Sequence, residues 1–436
     1  MKFTQLSCLV LTGAGLSGGF IAKSGKFPGH DRPTAEWPEF RGPSQDGHSN
    51  AIGLPTEWGV EKNVAWKTVL PGRAWSSPIV ADGRIYLTNS IASDDNNDGN
   101  FLNDRSSLRV LALDAADGRV IWDSEVFNVE LPHSSGVHDK NSHASPTPVY
   151  ENGRIYAHFG HFGTACLDEA GNLIWKTNEL AYKPEHGNGS CPVIVDDLLI
   201  FNGDASQDPF VAALDKATGK LRWKKLRNKK TRNTYSFSTP LVIEVNGEKQ
   251  LISPGSSVMN ALNPKDGHEI WRVYYDGYSV VPRPVFAHGL VFISTGFDQP
   301  SALAIKPDGQ GNVTDTHIVW EVKKGVPLTP SMLVIGDELY MASDNGIVSC
   351  LDAKTGQVIW SERVGKTTSA SLLYADGKIY MQDEFGKGYV IKPGKQFELL
   401  ATNDLGDKSL ASYAVHRNRL LIRTQHALWC IGGNKS

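Results

Sequence analysis

One short segment recurs along this chain and limits its fold more than any other feature. VLALDAADGRVIW ends at Trp122, VAALDKATGKLRW at Trp223, MNALNPKDGHEIW at Trp271 and VSCLDAKTGQVIW at Trp360. TACLDEAGNLIW, one residue shorter, ends at Trp175, and a stretched copy runs from Leu303 to Trp320. The tryptophans recur at roughly 40–50 residues, the period of four-stranded propeller blades. Each copy opens on small residues and Pro, as in Ser76-Ser77-Pro78, and continues through a tight turn such as Asp82-Gly83. An alternating strand, the "ALD" strand and a last strand ending in Trp follow. Apolar alternation bounded by Gly, Asp and Asn is a strand signal, and no sustained helical period occurs. In the Asp-x-x-x-Gly hairpin the carboxylate accepts turn amides and glycine takes the positive φ.

Two weaker copies complete the count. Ala370 to Thr402 keeps its strands but loses its Trp, and Ala411 to Ile431 supplies three strands before the chain ends. The missing strand lies at the other terminus, where Val64-Ala65-Trp66-Lys67-Thr68 matches Ile174-Trp175-Lys176-Thr177. An N-terminal strand completing the last blade removes two open edges. The expected fold is therefore all-β: an eight-bladed propeller of four-stranded antiparallel blades, closed by an N-terminal strand. Seven blades is the alternative if the degenerate copy near residue 390 lies outside the ring.

The termini suggest export. Met1–Gln5 carries one positive charge, Leu6–Ala22 is apolar and uncharged, and Ala22-Lys23-Ser24 places small residues around a cleavage site. That pattern reads as a secretory signal peptide over 1–24, followed by an arm over 25–62 and the propeller over 63–432. The stretch is too short and glycine-rich for a permanent span. A periplasmic or secreted location without a transmembrane span in the mature chain is expected. The formal net charge of −3 gives no basic footprint for nucleic acid.

The pattern Ala213-x-Asp215-x-x-Thr218-Gly219-x-x-x-Trp223 resembles the tryptophan-docking repeat of quinoproteins that use pyrroloquinoline quinone (PQQ). The blade count is similar to that of the BamB-type propellers. Trp37-Pro38-Glu39-Phe40-Arg41-Gly42-Pro43, the 141–148 segment and Gly277–Pro284 resemble exported PQQ-like propellers of planctomycete-type bacteria. The resemblance implies a fold over nearly the whole mature chain, and fold does not fix function. A quinoprotein dehydrogenase would need a quinone, a Ca²⁺ held by oxygens and a carboxylate base, and such families also tend to carry an adjacent Cys-Cys pair; this chain has no adjacent cysteines. No cofactor is expected, with PQQ and Ca²⁺ as the alternative. Cys166, Cys350 and Cys430 share one repeat position, which assigns them to the core.

If blades run from channel to rim, the B–C and D–A loops share one face, and most irregular sequence falls there. Three features on it are candidate sites. Arg283 aligns with Ser77, Thr147, Cys191, Thr239, Ser331, Ser371 and Ser412 at the channel mouth. It is suited either to an anionic ligand or to a structural ion pair, and His143, His186, Asn188 and Tyr235 would complete its pocket. His133, His138, His143, His158, His161 and His186 cluster in loops of blades 1 to 3 with no compact metal spacing. Asp94-x-Asn96-x-Asp98-Gly99 resembles half of a Ca²⁺ loop, but Arg105 stands where the bidentate acid belongs. The leading expectation is a non-catalytic propeller that binds a protein or extended polymer at the cell envelope, in assembly or scaffolding. The alternatives are a quinone-dependent oxidoreductase and a carbohydrate-active or sugar-binding propeller.

Overall fold

The computed structural model describes residues 37–92, 105–130, 137–228 and 231–433. Eight antiparallel sheets form a ring. Blade 1 comprises Ile79–Ala81, Arg84–Ala92, Arg105–Asp114 and Val120–Glu130 from channel to rim. Blades 2 to 7 begin at Val149, Val193, Leu241, Val285, Leu333 and Leu373 and end at Thr177, Leu226, Tyr274, Val322, Arg363 and Asp404. Blade 8 joins the two ends of the chain: Val64–Val69 pairs antiparallel with Ala427–Ile431 outside Arg419–Arg423 and Ala414–His416. The degenerate 388–402 copy is a regular part of blade 7, so the count is eight and seven is excluded.

Local sequence explains the repeated strand–turn unit. At Asp82-Gly83 both central residues take positive φ, 50° and 74°, the geometry a two-residue hairpin needs. Middle strands are buried on both faces because blades stack on each other: every residue of Leu198–Gly203 is buried. Outer strands face solvent: Leu221–Leu226 is exposed at every position but the half-buried Trp223. In the outer hairpin of blade 3, Asp215 Oδ1 accepts from Ala217 N at 3.1 Å, Thr218 N at 2.9 Å and Thr218 Oγ1 at 2.8 Å.

The tryptophans then link blade to blade. Trp175 Nε1 donates to Lys216 O in the next blade at 3.1 Å. Its ring covers Gly219, where an added Cβ would lie 2.5 Å from the indole. Trp66, Trp122, Trp223, Trp320 and Trp360 likewise donate to carbonyls of the following blade. Ala401 replaces the tryptophan in blade 7. The blade that follows has no outer hairpin, since its last two strands come from opposite ends of the chain, so a tryptophan there would have nothing to dock on. Trp271 is the other exception. It donates to Gln250 of its own sheet at 2.9 Å and is fully buried. The stretched copy in blade 5 is the cause: Gly311–Asn312 adds a fifth, parallel strand over Trp271–Arg272, followed by a helical turn at Thr314–His317.

Candidate functional site at the channel mouth

The small residues at the inner strand starts form a hydrogen-bonded ring. Ser77 N donates to Thr147 Oγ1 at 2.9 Å, Thr147 N to Cys191 Sγ at 3.2 Å and Cys191 N to Thr239 Oγ1 at 3.0 Å. Beyond blade 5, Arg283 N donates to Ser331 Oγ, Ser331 N to Ser371 Oγ, Ser371 N to Ser412 Oγ and Ser412 N to Ser77 Oγ, at 2.9 to 3.1 Å. Each blade thus gives an amide to the next blade's hydroxyl or thiol. A buried amide left unpaired is costly, which is the physical reason for Ser, Thr or Cys at this position. The ring is interrupted between blades 4 and 5, where Arg283 offers no acceptor. Arg283 Nε instead donates back to Pro240 O at 3.1 Å.

The rest of the Arg283 guanidinium is satisfied from within the chain. Nη1 donates to Phe40 O at 2.7 Å, Nη2 donates to Gln45 Oε1 at 2.9 Å, and Glu39 Oε2 lies 3.9 Å from Nη2. These partners belong to an N-terminal arm that crosses the channel. Trp37 bridges Val80 of blade 1, Pro38 O accepts from Tyr150 N of blade 2, and His48–Ser49 pairs parallel with Tyr374–Ala375 of blade 7. Arg41 adds donors to Met332 O at 2.7 Å and Leu372 O at 3.4 Å. Burial depresses both guanidinium pKa values. For Arg283 the Glu39 carboxylate acts the other way; for Arg41, pulled to about 9, Asp46 does.

Above the arm lies a cavity of about 390 Å³ floored by Phe40 and ringed by the hydroxyls. One wall is an arc of rings from successive blade connections. His186 meets Tyr235 at 5.3 Å, Tyr235 meets Tyr278 at 5.7 Å and Tyr278 meets Phe297 at 6.4 Å between centroids; the first two contacts are edge-on. The long connection between blades 1 and 2 crosses the mouth. Lys140 Nζ lies 2.8 Å from Glu384 Oε1 and 3.8 Å from Asp344 Oδ1, on blades 7 and 6. Burial raises the Asp344 pKa, against its bonds from Thr329 and Leu328 and the Lys140 charge.

The five residues expected to share one pocket divide into three groups. His186 and Tyr235 line the cavity. Asn188 is buried, donating to Phe159 O at 3.4 Å and accepting from Tyr182 Oη at 3.0 Å. His143 packs on Phe162 at 5.5 Å, and its pKa falls to about 4 through burial with nearby His161 and Arg73. Arg283 lies beneath the cavity, fully buried against the arm. The histidines separate too. His138 stacks edge-on with His186 at 5.5 Å, while His158 and His161 are packed inside blade 2, with pKa values that burial lowers to about 3 and about 4. No metal-holding group of three His, Cys, Asp or Glu occurs among the described residues. His133, Asp94, Asn96 and Asp98 lie outside them. Lys140, which straps the mouth, was missed by sequence reasoning because its partners lie more than 200 positions away.

The lining does not fit a quinone held with Ca²⁺. Ca²⁺ takes carboxylate and carbonyl oxygens, and the side chains lining this cavity include neither Asp nor Glu. The hydroxyls already accept backbone amides, and Cys191 is a lone thiol whose pKa burial raises.

Comparison with known proteins places the chain. A family model described as outer membrane protein assembly factor BamB matches residues 58–125, 106–309 and 310–400. The outer membrane protein assembly factor BamB of Yersinia pestis is 27% identical over 178 residues, 38% of this chain and 42% of that protein. The quinohemoprotein alcohol dehydrogenase ADH IIB of Pseudomonas putida is 27% identical over 315 residues, 63% of this chain and 41% of that protein. The chain therefore spans less than half the length of either relative. Among solved structures, BamB from Moraxella catarrhalis has a TM-score of 0.57 at 14% identity, covering 85% of this chain and 97% of that one, a likeness of fold. With repeat, ring and family match in agreement, the chain belongs to the PQQ-like β-propeller family described as outer membrane protein assembly factor BamB.

Proposed function

We propose that this protein is an exported, non-catalytic propeller of the cell envelope that binds a protein partner in outer-membrane assembly. The observation that carries this reading is the BamB family match over most of the chain. In it, residues 1–24 direct export, 25–62 form the arm and 63–432 the propeller. The partner meets the mouth face. Phe297 and Phe385, in the B–C loops of blades 5 and 7, are more than half exposed there, and exposed aromatics are the residues that anchor interfaces. His186 and Tyr235 stand on the same face, whereas Arg283, His143 and Asn188 serve the scaffold beneath. The test is fluorescence anisotropy with a labelled, urea-unfolded outer-membrane β-barrel polypeptide diluted into the protein. Saturable binding is expected, about tenfold weaker after Phe297→Ser with Phe385→Ser. No binding would overturn the reading, and equal binding by the double variant would overturn the face.

The second reading, a quinone-dependent oxidoreductase, is favoured by the match to ADH IIB. The carboxylate-free lining counts against it. Absorbance titration with PQQ and Ca²⁺, followed by alcohol-dependent dye reduction, separates the two readings. Stoichiometric binding with turnover would establish the second.

A further inference from the structure

The hydroxyl ring at the channel mouth has hydrogen-bonding capacity that the fold does not use. Ser77, Thr147, Thr239, Ser331, Ser371 and Ser412 each accept one amide from the preceding blade. A hydroxyl that accepts still has its own proton to give. Among the described residues Ser77, Ser331, Ser371 and Ser412 are given no acceptor and Thr147 and Thr239 meet only the Cys191 thiol, although all six are at least nine-tenths buried. They converge on one cavity of about 390 Å³, within the range of small-molecule sites.

Charge and shape narrow the guest. The lining has no carboxylate to receive a cation. Its lysine, Lys140, is engaged by Glu384 and Asp344, and Arg283 beneath is engaged by the arm. A charged guest would lose hydration with no free counter-charge. The guest is therefore neutral and rich in acceptor oxygens. The aromatic wall sets its shape. His186, Tyr235 and Tyr278 meet edge-on, at 89° and 80°, so they offer alternating faces and edges and no parallel slot for a flat heterocycle. A puckered ring with C–H groups on one side and oxygens on the other matches both surfaces.

We propose that the mouth cavity is a binding site for a neutral, monosaccharide-sized polyhydroxylated ring, seated on the Ser/Thr ring and packed against Tyr235 and Tyr278. The cavity shares Phe297 with the face offered to a protein partner, but the guest is held by the hydroxyls, Tyr235 and Tyr278, which the Phe297→Ser, Phe385→Ser variant leaves in place, so either proposal can fail alone. The test uses the intact protein with methyl α-D-glucopyranoside, methyl β-D-galactopyranoside and methyl N-acetyl-β-D-glucosaminide as probes, and with glucuronate and inorganic phosphate as charged counterparts. Saturation-transfer NMR and calorimetry should show saturable binding of at least one neutral glycoside and weaker or no binding of the anions. Tyr235→Leu should weaken that binding about fivefold by removing one aromatic face. Its melting temperature should not change, because among the described residues no hydrogen bond of the Tyr235 hydroxyl holds the fold; Tyr278→Leu serves as an independent second variant. Three results would overturn the proposal. These are no saturation by any glycoside at tens of millimolar, which makes the cavity a water-filled well; preference for glucuronate or phosphate; and glycoside binding indifferent to both variants.

Discussion

The junction between blades 4 and 5 is built differently from the other junctions of the ring, at both its inner and its outer radius. Elsewhere the inner contact is one amide given to one hydroxyl or thiol, as from Ser371 N to Ser412 Oγ at 2.9 Å. Between blades 4 and 5 that amide-to-hydroxyl bond is replaced by an arginine reaching back to Pro240 O and down to the arm. At the rim, Trp175 or Trp320 donates its indole N–H to the next blade, whereas Trp271 bonds Gln250 of its own sheet and is covered by the Gly311–Asn312 strand. A repeat can thus lose its standard contact where a different segment supplies an equivalent one. The arm does so at the inner radius and the stretched hairpin does so at the outer.

The largest test of that contrast removes the substitutes. Deletion through Val69 takes away both the arm and the strand that completes blade 8, leaving Ala427–Ile431 as an open edge. The expected outcome is loss of the cooperative melting transition seen by circular dichroism. Deletion through Asn50 keeps the closing strand and removes the part of the arm that meets Arg283, so the ring stays closed while the blade 4–5 junction loses its internal partners. A chain cut at Val69 that melts like the intact one would show that closure contributes little.

Arg283→Met tests the inner radius of the odd junction alone. It leaves Glu39 and Gln45 beneath the ring without the guanidinium and removes the bond to Pro240 O. Breaking a buried pair by removing one partner costs about 3–5 kcal/mol, so chemical denaturation should report a loss of that order. A loss within the range of a surface substitution would mean that the arm is held by its backbone pairing and does not depend on the arginine.

Acid should act first in blade 2, away from the odd junction. His158 is fully buried, bonded to Thr164 Oγ1 at 2.8 Å and stacked on Phe201 at 4.0 Å. Burial, with His161 nearby, lowers its pKa to about 3, and burial likewise holds His143 and His161 near 4. In the unfolded chain these groups titrate near 6.5, so the folded state binds fewer protons below that pH. Their contribution to stability is complete above about 6.5 and is lost as pH falls toward 4, with a slope approaching 1.4 kcal/mol per pH unit for each, an upper limit of about that size. Denaturation midpoints measured from pH 7 to 4.5 should fall less steeply in His158→Gln than in the unsubstituted protein. Parallel curves would remove the histidine from the account.

The fold was legible because its repeat is written locally. Strand, turn and docking tryptophan occupy fixed offsets, and the closing strand matched its counterparts by sequence. The alignment also picked out the ring position and the oddness of Arg283. It did not show what the position does, since the hydroxyl of one blade serves the amide of another some 40 or more residues away, and alignment of a blade with itself carries no record of neighbours. The partners of Arg283 lie about 240 positions upstream, in a segment outside the repeat. Ala401 looked like decay of the pattern, yet its alanine follows from the split blade next to it. The grouping of His143 and Asn188 with Arg283 failed to anticipate that loops entering one face can point either to the channel or into a blade. Asn188, for example, turns inward to Phe159 and Tyr182.

The smallest effect is expected at an ordinary junction, and it calibrates the contrast. Ser371 receives the amide of Ser331 at 3.0 Å and gives its own amide to Ser412 at 2.9 Å. Ser371→Ala removes the first bond and leaves the second, so the chain keeps its course and one buried amide loses its acceptor. An unsatisfied buried donor costs about 1–3 kcal/mol, and a water entering the adjacent cavity can recover part of it, which points to the lower end, about 1 kcal/mol. Thr239→Ala should behave alike, because its hydroxyl serves Cys191 N at 3.0 Å in the same manner. Both losses should fall well below that of Arg283→Met when measured in the same denaturant. If Ser371→Ala proves as costly as Arg283→Met, the inner ring acts as one cooperative unit, and the arginine between blades 4 and 5 is one link among equals.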